Sequence, residues 1–357
     1  MSNLILAINP GSTSTKIAVF DGENQLFIKN IKHSAEELSQ FQHITDQYEF
    51  RNKVILEELT NNQIDLSSIH IVIGRGGLIK PIPSGVYEIN DLMLEHLKMG
   101  YSGSHASNLG GVIAHALSQK IGLEHAYIAD PVVVDELSDL ARISGHPKFE
   151  RVSIFHALNQ KAIARTYAKE QNRKYEDLNL IVVHMGGGIS VGSHQKGKVI
   201  EVNQALDGDG PFSPERSGTL PMNQIIKTCF SGEYTLEEVK KMIVGKGGYV
   251  AYFGHSDALA IEKAAAAGDE KAILLQNAMA YQVAKEIGSA AAVLKGKVDA
   301  ILLTGGLAYG KPLVEEIKSY IQWIAPVQVY PGEDEMGALA MNALMILKKE
   351  ITANQYQ

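Results

Sequence analysis

Five polar side chains stand beside glycines, at the ends of apolar runs or, for one of them, in the irregular loop 208–218, where a folded chain can present them to a ligand. They are Arg75, Asp130, His156, His184 and Arg216. Guanidinium and imidazole groups supply positive charge and hydrogen-bond donors. Residues at strand ends in α/β proteins face the crevice where ligands bind. Together, these residue types indicate a site that can bind anionic oxygens.

Each of these residues also has an ordinary structural interpretation. A single histidine at a strand end is commonly a satisfied core residue, and a single loop arginine such as Arg216 is commonly a surface charge or half of an ion pair. Asp130 precedes Pro131 and can cap a turn. The acidic residues 333–335 stand where the last predicted helix begins, so they also fit a helix-capping patch.

Two tight turns rich in Gly, Ser and Thr follow apolar runs, at residues 11–15 and 186–190. Such turns direct backbone N–H groups and hydroxyls at one spot, which suits anionic oxygens. Two such turns could bind one polyphosphate from two sides. The alternative interpretation is that they are two ordinary hairpins. A third apolar run ends in glycines, at 300–306. Residues 305–312 nearly match the P-loop pattern, but Pro312 replaces the hydroxyl that binds Mg²⁺, which excludes a Walker A motif.

Strand and helix patterns alternate along the chain and repeat about half a chain apart. Apolar runs bounded by turn residues predict strands at 4–8, 17–20, 71–73, 126–129, 180–183, 189–191 and 300–303. Helical spacing of apolar residues predicts helices at 107–121, 157–168, 270–295 and 335–349. A buried strand, a turn and a returning strand occur twice in this series. The repetition predicts an α/β fold of two similar halves with a ligand cleft between them.

Composition narrows the class of protein. A chain of 357 residues with 45% hydrophobic and 20% charged residues is typical of a globular protein of about two domains. Its net charge of −7 disfavours a general nucleic-acid binder. A single cysteine, Cys229, excludes an internal disulfide and a cysteine-built zinc site. No apolar run is long enough for a membrane span and residues 1–7 do not form a signal peptide, so we expect a cytoplasmic protein.

With these motifs assembled, the sequence resembles the butyrate kinases, in the acetate kinase branch of the sugar kinase/Hsp70/actin superfamily. The resemblance extends in order over nearly the whole chain. The matching stretches are INPGSTSTKIAVF (8–20), GRGGL (74–78), GSHASN (103–108), ADPVVVDE (129–136), SIFHALNQKA (153–162), HMGGGISVG (184–192), DGDGPFSPERSG (207–218), LTGGLA (303–308) and PGEDEMGALA (331–340).

The resemblance implies a duplicated ribonuclease-H-like, actin-like ATPase fold with a nucleotide cleft between two lobes. Residues 1–150 plus 331–357 would form the first lobe and 151–330 the second, so the last helix would return to the first lobe. ATP and Mg²⁺ are the implied cofactors. The residues expected at the phosphates are Asn9, Gly11, Ser12, Thr13, Lys16, Gly186, Gly187 and Gly188, those at the adenosine are Gly305 and Gly306, and those at the metal are Asn9, Asp130 and Glu335.

The implied reaction is reversible transfer of the γ-phosphoryl group of ATP to a short-chain carboxylate, giving an acyl phosphate. Transfer would be direct and in line. Arg75 is expected to bind the acid, while His156, His184 and Arg216 stabilise the phosphoryl oxygens. The acids that remain open are butyrate, isobutyrate, isovalerate and 2-methylbutyrate. The expected partners are therefore the acid, its acyl phosphate and further copies of the chain in a homo-oligomer, with no nucleic acid and no membrane.

Two other functions are compatible with the same fold. A sugar or alcohol kinase would need a general base, for which Asp130 is the only good candidate. A non-catalytic nucleotide switch or filament protein resembling actin or Hsp70 would need few basic residues at the γ-phosphate. The activity with carboxylic acids separates these alternatives.

Overall fold

The computed structural model describes residues 3–357, which form two compact units. Of the described residues, 3–134 and Asp334–Gln357 form one unit, and the continuous segment Asp135–Glu333 forms the other. The strands are β1 (Leu4–Pro10), β2 (Ser14–Asp21), β3 (Asn24–Lys32), β4 (Ile69–Arg75), β5 (Val86–Glu88), β6 (Tyr127–Ala129), β7 (Asn179–Met185), β8 (Ile189–Gln195), β9 (Lys198–Val202), β10 (Ala300–Gly305), β11 (Val327–Pro331) and β12 (Asn354–Gln355).

Thirteen α-helices lie between these strands in the described part of the chain. They are α1 (Ala35–Ser39), α2 (Tyr48–Asn61), α3 (Asp91–Met99), α4 (Asn108–Lys120), α5 (Asp139–Arg142), α6 (Ala157–Glu170), α7 (Met222–Cys229), α8 (Leu236–Ile243), α9 (Gly248–Phe253), α10 (Ala258–Ala266), α11 (Glu270–Val293), α12 (Lys311–Ile321) and α13 (Glu335–Leu347). Short 3₁₀ helices occupy Ile44–Gln47, Leu66–Ser68, Tyr175–Asp177 and Gly306–Tyr309.

The sheets of the two units repeat one topology. In the first unit the strand order is β12-β5-β6-β4-β1-β2-β3, and in the second it is β11-β10-β7-β8-β9. Each sheet contains an antiparallel meander, β1–β2–β3 or β7–β8–β9, whose first strand pairs in parallel with a later strand, β4 or β10. A further parallel strand, β6 or β11, follows in each. The duplication predicted from the repeated strand and turn pattern is confirmed.

The central strands are apolar on both faces because helices cover both sides of each sheet. In the first unit, α4 and α13 both pack against β1 and β4. In the second unit, α6 and α11 pack against β7. Residues 5–8 of β1 and 180–183 of β7 are buried throughout, the pattern of strands covered on both faces. Both strands therefore end in turns whose positions are fixed by a packed core.

The four long helices predicted from periodicity are confirmed, and so are the predicted strands. Sequence patterns assigned no element to residues 219–269, where α7, α8, α9 and α10 lie. Among residues 3–357, no helix combines the length and the apolar character that crossing a membrane requires.

Candidate functional site

The first glycine and hydroxyl turn joins β1 to β2 in the first unit. Its backbone is closed by a hydrogen bond from the Gly11 N–H to the Ser14 carbonyl, at 2.8 Å. Ser12 and Thr13 at its tip are exposed, while Asn9 on the preceding strand is buried. Lys16 is the partner of Asn9 in the β1–β2 register. The turn therefore presents exposed hydroxyls and backbone groups above a rigid strand end, as an anion site requires.

A fully buried arginine holds this turn from beneath, and the sequence patterns did not identify it. The guanidinium of Arg51, on α2, donates to the Gly11 carbonyl at 2.9 Å, the Ser14 carbonyl at 3.0 Å and the Ser12 carbonyl at 3.3 Å. It also bonds Gln47 Oε1 at 2.8 Å. Burial lowers the pKa of Arg51 to about 10, so it remains charged at neutral pH. Arg51 is a positioning residue for the turn.

Arg75, Asn9 and Glu335 lie together in the first unit. Arg75 Nη1 is 3.0 Å from Glu335 Oε1 and 3.4 Å from Asn9 Oδ1, and the Asn9 amide donates to Glu335 Oε2. Glu335 is the first residue of α13, whose N-cap Asp334 accepts a hydrogen bond from the Gly337 N–H. The neighbouring acidic residues therefore have different roles: Asp334 caps the helix, and Glu335 pairs with Arg75.

Asp130 follows β6 in a backbone conformation that is uncommon for a residue other than glycine, with φ of 38°. Its carboxylate is almost fully buried. Oδ1 accepts hydrogen bonds from the Ser84 hydroxyl at 2.6 Å and the Gly85 N–H at 2.9 Å. A buried carboxylate on strained backbone is a common feature of functional sites. Here two neutral donors fix its orientation.

The oxygen donors predicted for a metal are those of a Mg²⁺ site with few protein ligands. Within residues 3–357, no group of three or more His, Cys, Asp or Glu side chains is gathered as a metal cage. Mg²⁺ does not need one, because proteins usually hold it through one or two carboxylates while water and substrate phosphates complete its octahedron. The amide oxygen of Asn9 and the carboxylates of Asp130 and Glu335 are the donor types that such an ion uses, and of these residues Asn9 and Glu335 are in contact.

Two histidines of the second unit form a stacked pair. The rings of His156 and His184 have centroids 4.1 Å apart and an interplanar angle of 23°. His184 lies on β7, is 1% exposed, and has Nε2 3.3 Å from Glu333 Oε1. Its buried Nδ1 has no hydrogen-bond partner among the described residues. His156 precedes α6, and its Nδ1 lies 2.9 Å from the Ser190 hydroxyl.

The second glycine turn lies against Arg216. The Gly186 N–H donates to the Gly188 carbonyl, and the Ser213 hydroxyl donates to the Gly187 carbonyl at 2.6 Å. Arg216 Nη1 donates to the Ala205 carbonyl, and a Cβ added to Gly188 would meet Nη1 at 2.0 Å. Glycine at 188 therefore leaves room for the guanidinium directly beside the turn. Burial lowers the pKa of Arg216.

A cavity of about 290 Å³ opens beside Gly306 in the second unit. Apolar side chains form much of its wall, with a carboxylate and an amide among them. The residues that bear on its chemistry are Leu259, Leu307, Tyr309, Leu313, Glu262 and Gln276. Gly305, with φ of 93°, exchanges backbone hydrogen bonds with Gly332 at the end of the adjacent strand. An apolar cavity with a few polar groups is typical of a small-molecule site.

Some of the site residues predicted from the sequence are therefore brought together within each unit. In the first unit, Asn9, Arg75 and Glu335 are in mutual contact. In the second unit, His156 and His184 stack on one another, and Arg216 lies at the glycine turn that follows His184.

Comparisons with known proteins give one family match and several similar solved structures. Residues 150–319 match the Acetokinase family. Acetate kinase from Porphyromonas gingivalis is similar at 18% identity, over 97% of this chain and 100% of that one, with a TM-score of 0.78. Propionate kinase from Francisella tularensis is similar at 20% identity, over 95% and 98%, with a TM-score of 0.73. Acetate kinase from Entamoeba histolytica is similar at 18% identity, over 98% and 99%, with a TM-score of 0.75.

At these identities the likeness to solved structures establishes the fold. The chain has the duplicated actin-like α/β fold of the acetate kinase structures, as its sequence predicted.

Buried His194 makes the stability of the protein depend on pH. Burial, with Lys161 and Arg165 nearby, lowers the pKa of His194 well below its usual 6.5. At low pH the unfolded chain binds a proton at His194 that the folded chain does not. The free energy of unfolding is therefore unaffected by His194 above about pH 6.5 and falls as the pH drops below that value. Each such histidine contributes a slope of at most about 1.4 kcal/mol per pH unit. We expect His194→Gln to flatten the fall in the free energy of unfolding between about pH 6.5 and 5, measured by urea denaturation.

The matched control is His146→Gln, at an exposed position in the same unit. It should retain the slope of the unmodified protein. An unchanged slope in His194→Gln would show that His194 is not the residue responsible.

Proposed function

We propose that the chain transfers the γ-phosphoryl group of ATP reversibly to a short-chain carboxylate, producing ADP and an acyl phosphate. The observation that carries the proposal is the stacked pair His156 and His184 in the same unit as a glycine turn lined by Arg216. The Acetokinase match over residues 150–319 includes all three side chains. Acetate kinase and propionate kinase among the similar structures support a carboxylate as the acceptor.

The chemistry of this reaction explains why the site needs cations rather than a base. A carboxylic acid with a pKa near about 4–5 is already ionised at neutral pH, so no general base has to make the nucleophile. Two unit charges 4 Å apart repel by about 4 kcal/mol at an effective dielectric constant of 20. Positive groups and hydrogen-bond donors aimed at the transferring phosphoryl group offset that repulsion.

The proposed roles of the side chains follow from the geometry of their donor groups. Arg75 offers a planar fork that matches the carboxylate of the acid. His156, His184 and Arg216 donate to the phosphoryl oxygens as charge moves onto them. Transfer is direct and in line, with no phosphorylated enzyme. Because His156, His184 and Arg216 act on charge that develops in the transition state, losing any one of them should slow the chemical step more than it weakens substrate binding.

The nucleotide and its metal use the remaining residues. The turns at 11–15 and 186–188 bind the phosphates, together with Lys16, and the cavity beside Gly306 takes the adenosine. Asn9, Asp130 and Glu335 would hold Mg²⁺, which when bound neutralises charge on the phosphate oxygens.

The acid is proposed to have four or five carbons, as butyrate or a branched acid. The ordered sequence motifs shared with butyrate kinases support this choice. One methylene in an apolar pocket changes discrimination by about 1–3 kcal/mol, which is about 10-fold to 200-fold in kcat/KM.

A screen of straight and branched acids from C2 to C6 tests the proposal. With ATP and Mg²⁺, acyl phosphate trapped by hydroxylamine should form, with kcat/KM for butyrate or a branched C4 or C5 acid at least about ten-fold above acetate. A preference for acetate would refute the chain length and keep the reaction. Phosphorylation of hexoses or glycerol, or slow ATP turnover that no acid affects, would refute the reaction itself.

A further inference from the structure

A chain of hydrogen-bonded polar side chains runs from Tyr175 to His156 inside the second unit. The Tyr175 hydroxyl is 2.6 Å from His194 Nδ1, and His194 Nε2 is 2.9 Å from Gln160 Oε1. Gln160 Nε2 is 2.8 Å from the Ser190 hydroxyl, which is 2.9 Å from His156 Nδ1. Gln160, Ser190 and His194 are completely buried. Apart from His156, these residues have no part in the proposed chemistry.

The orientation of the Gln160 amide is fixed by a backbone group. Its Nε2 lies 3.0 Å from the Ser190 carbonyl oxygen, which can only accept a hydrogen bond. The nitrogen of the amide must therefore face Ser190, and the oxygen must face His194. His194 Nε2 then donates to Gln160 Oε1, and neutral His194 accepts at Nδ1 from the Tyr175 hydroxyl. Burial lowers the pKa of His194, which agrees with a neutral ring.

The same reasoning assigns the hydrogen of the Ser190 hydroxyl. Gln160 Nε2 has two hydrogens, and it donates one to the Ser190 carbonyl and the other to the Ser190 hydroxyl oxygen. The hydroxyl is left to donate its own hydrogen, and His156 Nδ1 lies at hydrogen-bond distance to accept it. A neutral imidazole whose Nδ1 accepts carries its proton on Nε2.

We propose that Gln160 and Ser190 are positioning residues that hold neutral His156 as its Nε2–H tautomer, so that the ring donates a hydrogen bond from Nε2. The role of that donor, toward a transferring phosphoryl oxygen, rests on the proposed function. The tautomer itself follows from the hydrogen bonds inside the second unit.

Gly192, at the end of the HMGGGISVG stretch, makes room for this arrangement. A Cβ at position 192 would lie 2.3 Å from Gln160 Oε1 and 3.0 Å from His194 Nε2. Any side chain there would displace the contact that aligns the amide. The glycine at this position is therefore explained by the Gln160–His194 hydrogen bond that passes beside it.

Nitrogen NMR of the full-length protein tests the tautomer without reference to activity. In ¹⁵N-labelled protein, at a pH where His156 is neutral, its Nε2 should give a protonated-type signal and its Nδ1 an unprotonated-type signal. The His156→Gln spectrum assigns the resonances. A protonated-type Nδ1 signal in the unmodified protein would overturn the proposal, whatever reaction the chain catalyses.

Kinetics of two serine variants then tests the positioning role. Ser190→Ala should lower kcat with the best acid about ten-fold and change the KM for ATP by less than about two-fold. Ser193→Ala removes an equally buried hydroxyl on the same strand, which donates to the Ala290 carbonyl, and this variant should retain kcat. Equal kcat values in the two variants would overturn the positioning role. Absence of acid kinase activity in the unmodified protein would refute the proposed function and leave the NMR result to decide the tautomer.

Discussion

Arg51→Met should lower the free energy of unfolding by about 3 kcal/mol and raise the KM for ATP at least about ten-fold. The guanidinium is the shared donor of three carbonyls in the turn at 11–15, and Gln47 also depends on it. Each buried acceptor that loses its donor costs about 1–3 kcal/mol, although water can reach the exposed side of this turn. Without the hydrogen bonds from Arg51, the turn no longer holds its backbone N–H groups in the positions that bind phosphate. Urea denaturation and ATP titration of the initial rate measure the two effects.

Lys53→Met is the matched control for Arg51→Met. Lys53 lies on the same helix, its side chain is 77% exposed, and its contact with Glu57 is 3.9 Å long. Exposed ion pairs of this kind contribute little to the free energy of unfolding, so both that free energy and the KM for ATP should stay near their original values. Arg51→Lys should fall between the two, because one ammonium cannot reach all the acceptors of a planar fork. A stable Arg51→Met protein with an unchanged KM for ATP would contradict the role assigned to Arg51.

Arg216→Ala should lower kcat by about 10²–10³-fold while the protein stays folded. Its guanidinium lies beside the turn at 186–188, and burial removes much of the water that would screen its charge. A donor of this kind acts most strongly on the charge that develops in the transition state, so kcat should fall more than binding weakens. The initial rate with saturating ATP and acid measures the effect, and circular dichroism checks the fold.

Two further variants separate this role of Arg216 from a structural one. Arg142→Ala removes a guanidinium paired with Asp135 at 2.7 Å in the same unit, and it should retain kcat. Gly188→Ala keeps Arg216 but places a methyl group 2.0 Å from its Nη1, so it should lower kcat by displacing the guanidinium. If Arg216→Ala turned over substrate within a few-fold of the unmodified protein, Arg216 would have no place in the mechanism.

The duplicated fold was predictable because its signal is local. The runs at 4–8 and 180–183 are apolar on both faces, and each stops at a turn of glycine or hydroxyl residues. Buried central strands of a covered sheet require that pattern, so its repetition half a chain apart already indicated two similar sheets. The short helices between 222 and 266 could not be predicted in the same way. Most of their residues are exposed, and α8 buries only Val239.

The supporting residues of the site were hidden because their partners are distant in sequence. Arg51 contacts a turn that lies 36 to 40 residues earlier in the chain. Its one local signal is its place on the buried face of α2, in line with Ile55 and Leu59, where an apolar residue is expected. Gln160 and Ser190 are 30 residues apart and have no such signal.

The discontinuity of the first unit makes its core depend on residues 334–357. The continuous segment Asp135–Glu333 contains every strand of its own sheet. The first unit is different, because α13 packs on β1 and β4, and the hydroxyl of Tyr356 accepts a hydrogen bond from the Lys80 N–H. Without residues 334–357, one face of that sheet stays uncovered. The unit that binds the acid in our proposal therefore needs this returning segment in order to fold, whereas the unit that holds the stacked histidines does not.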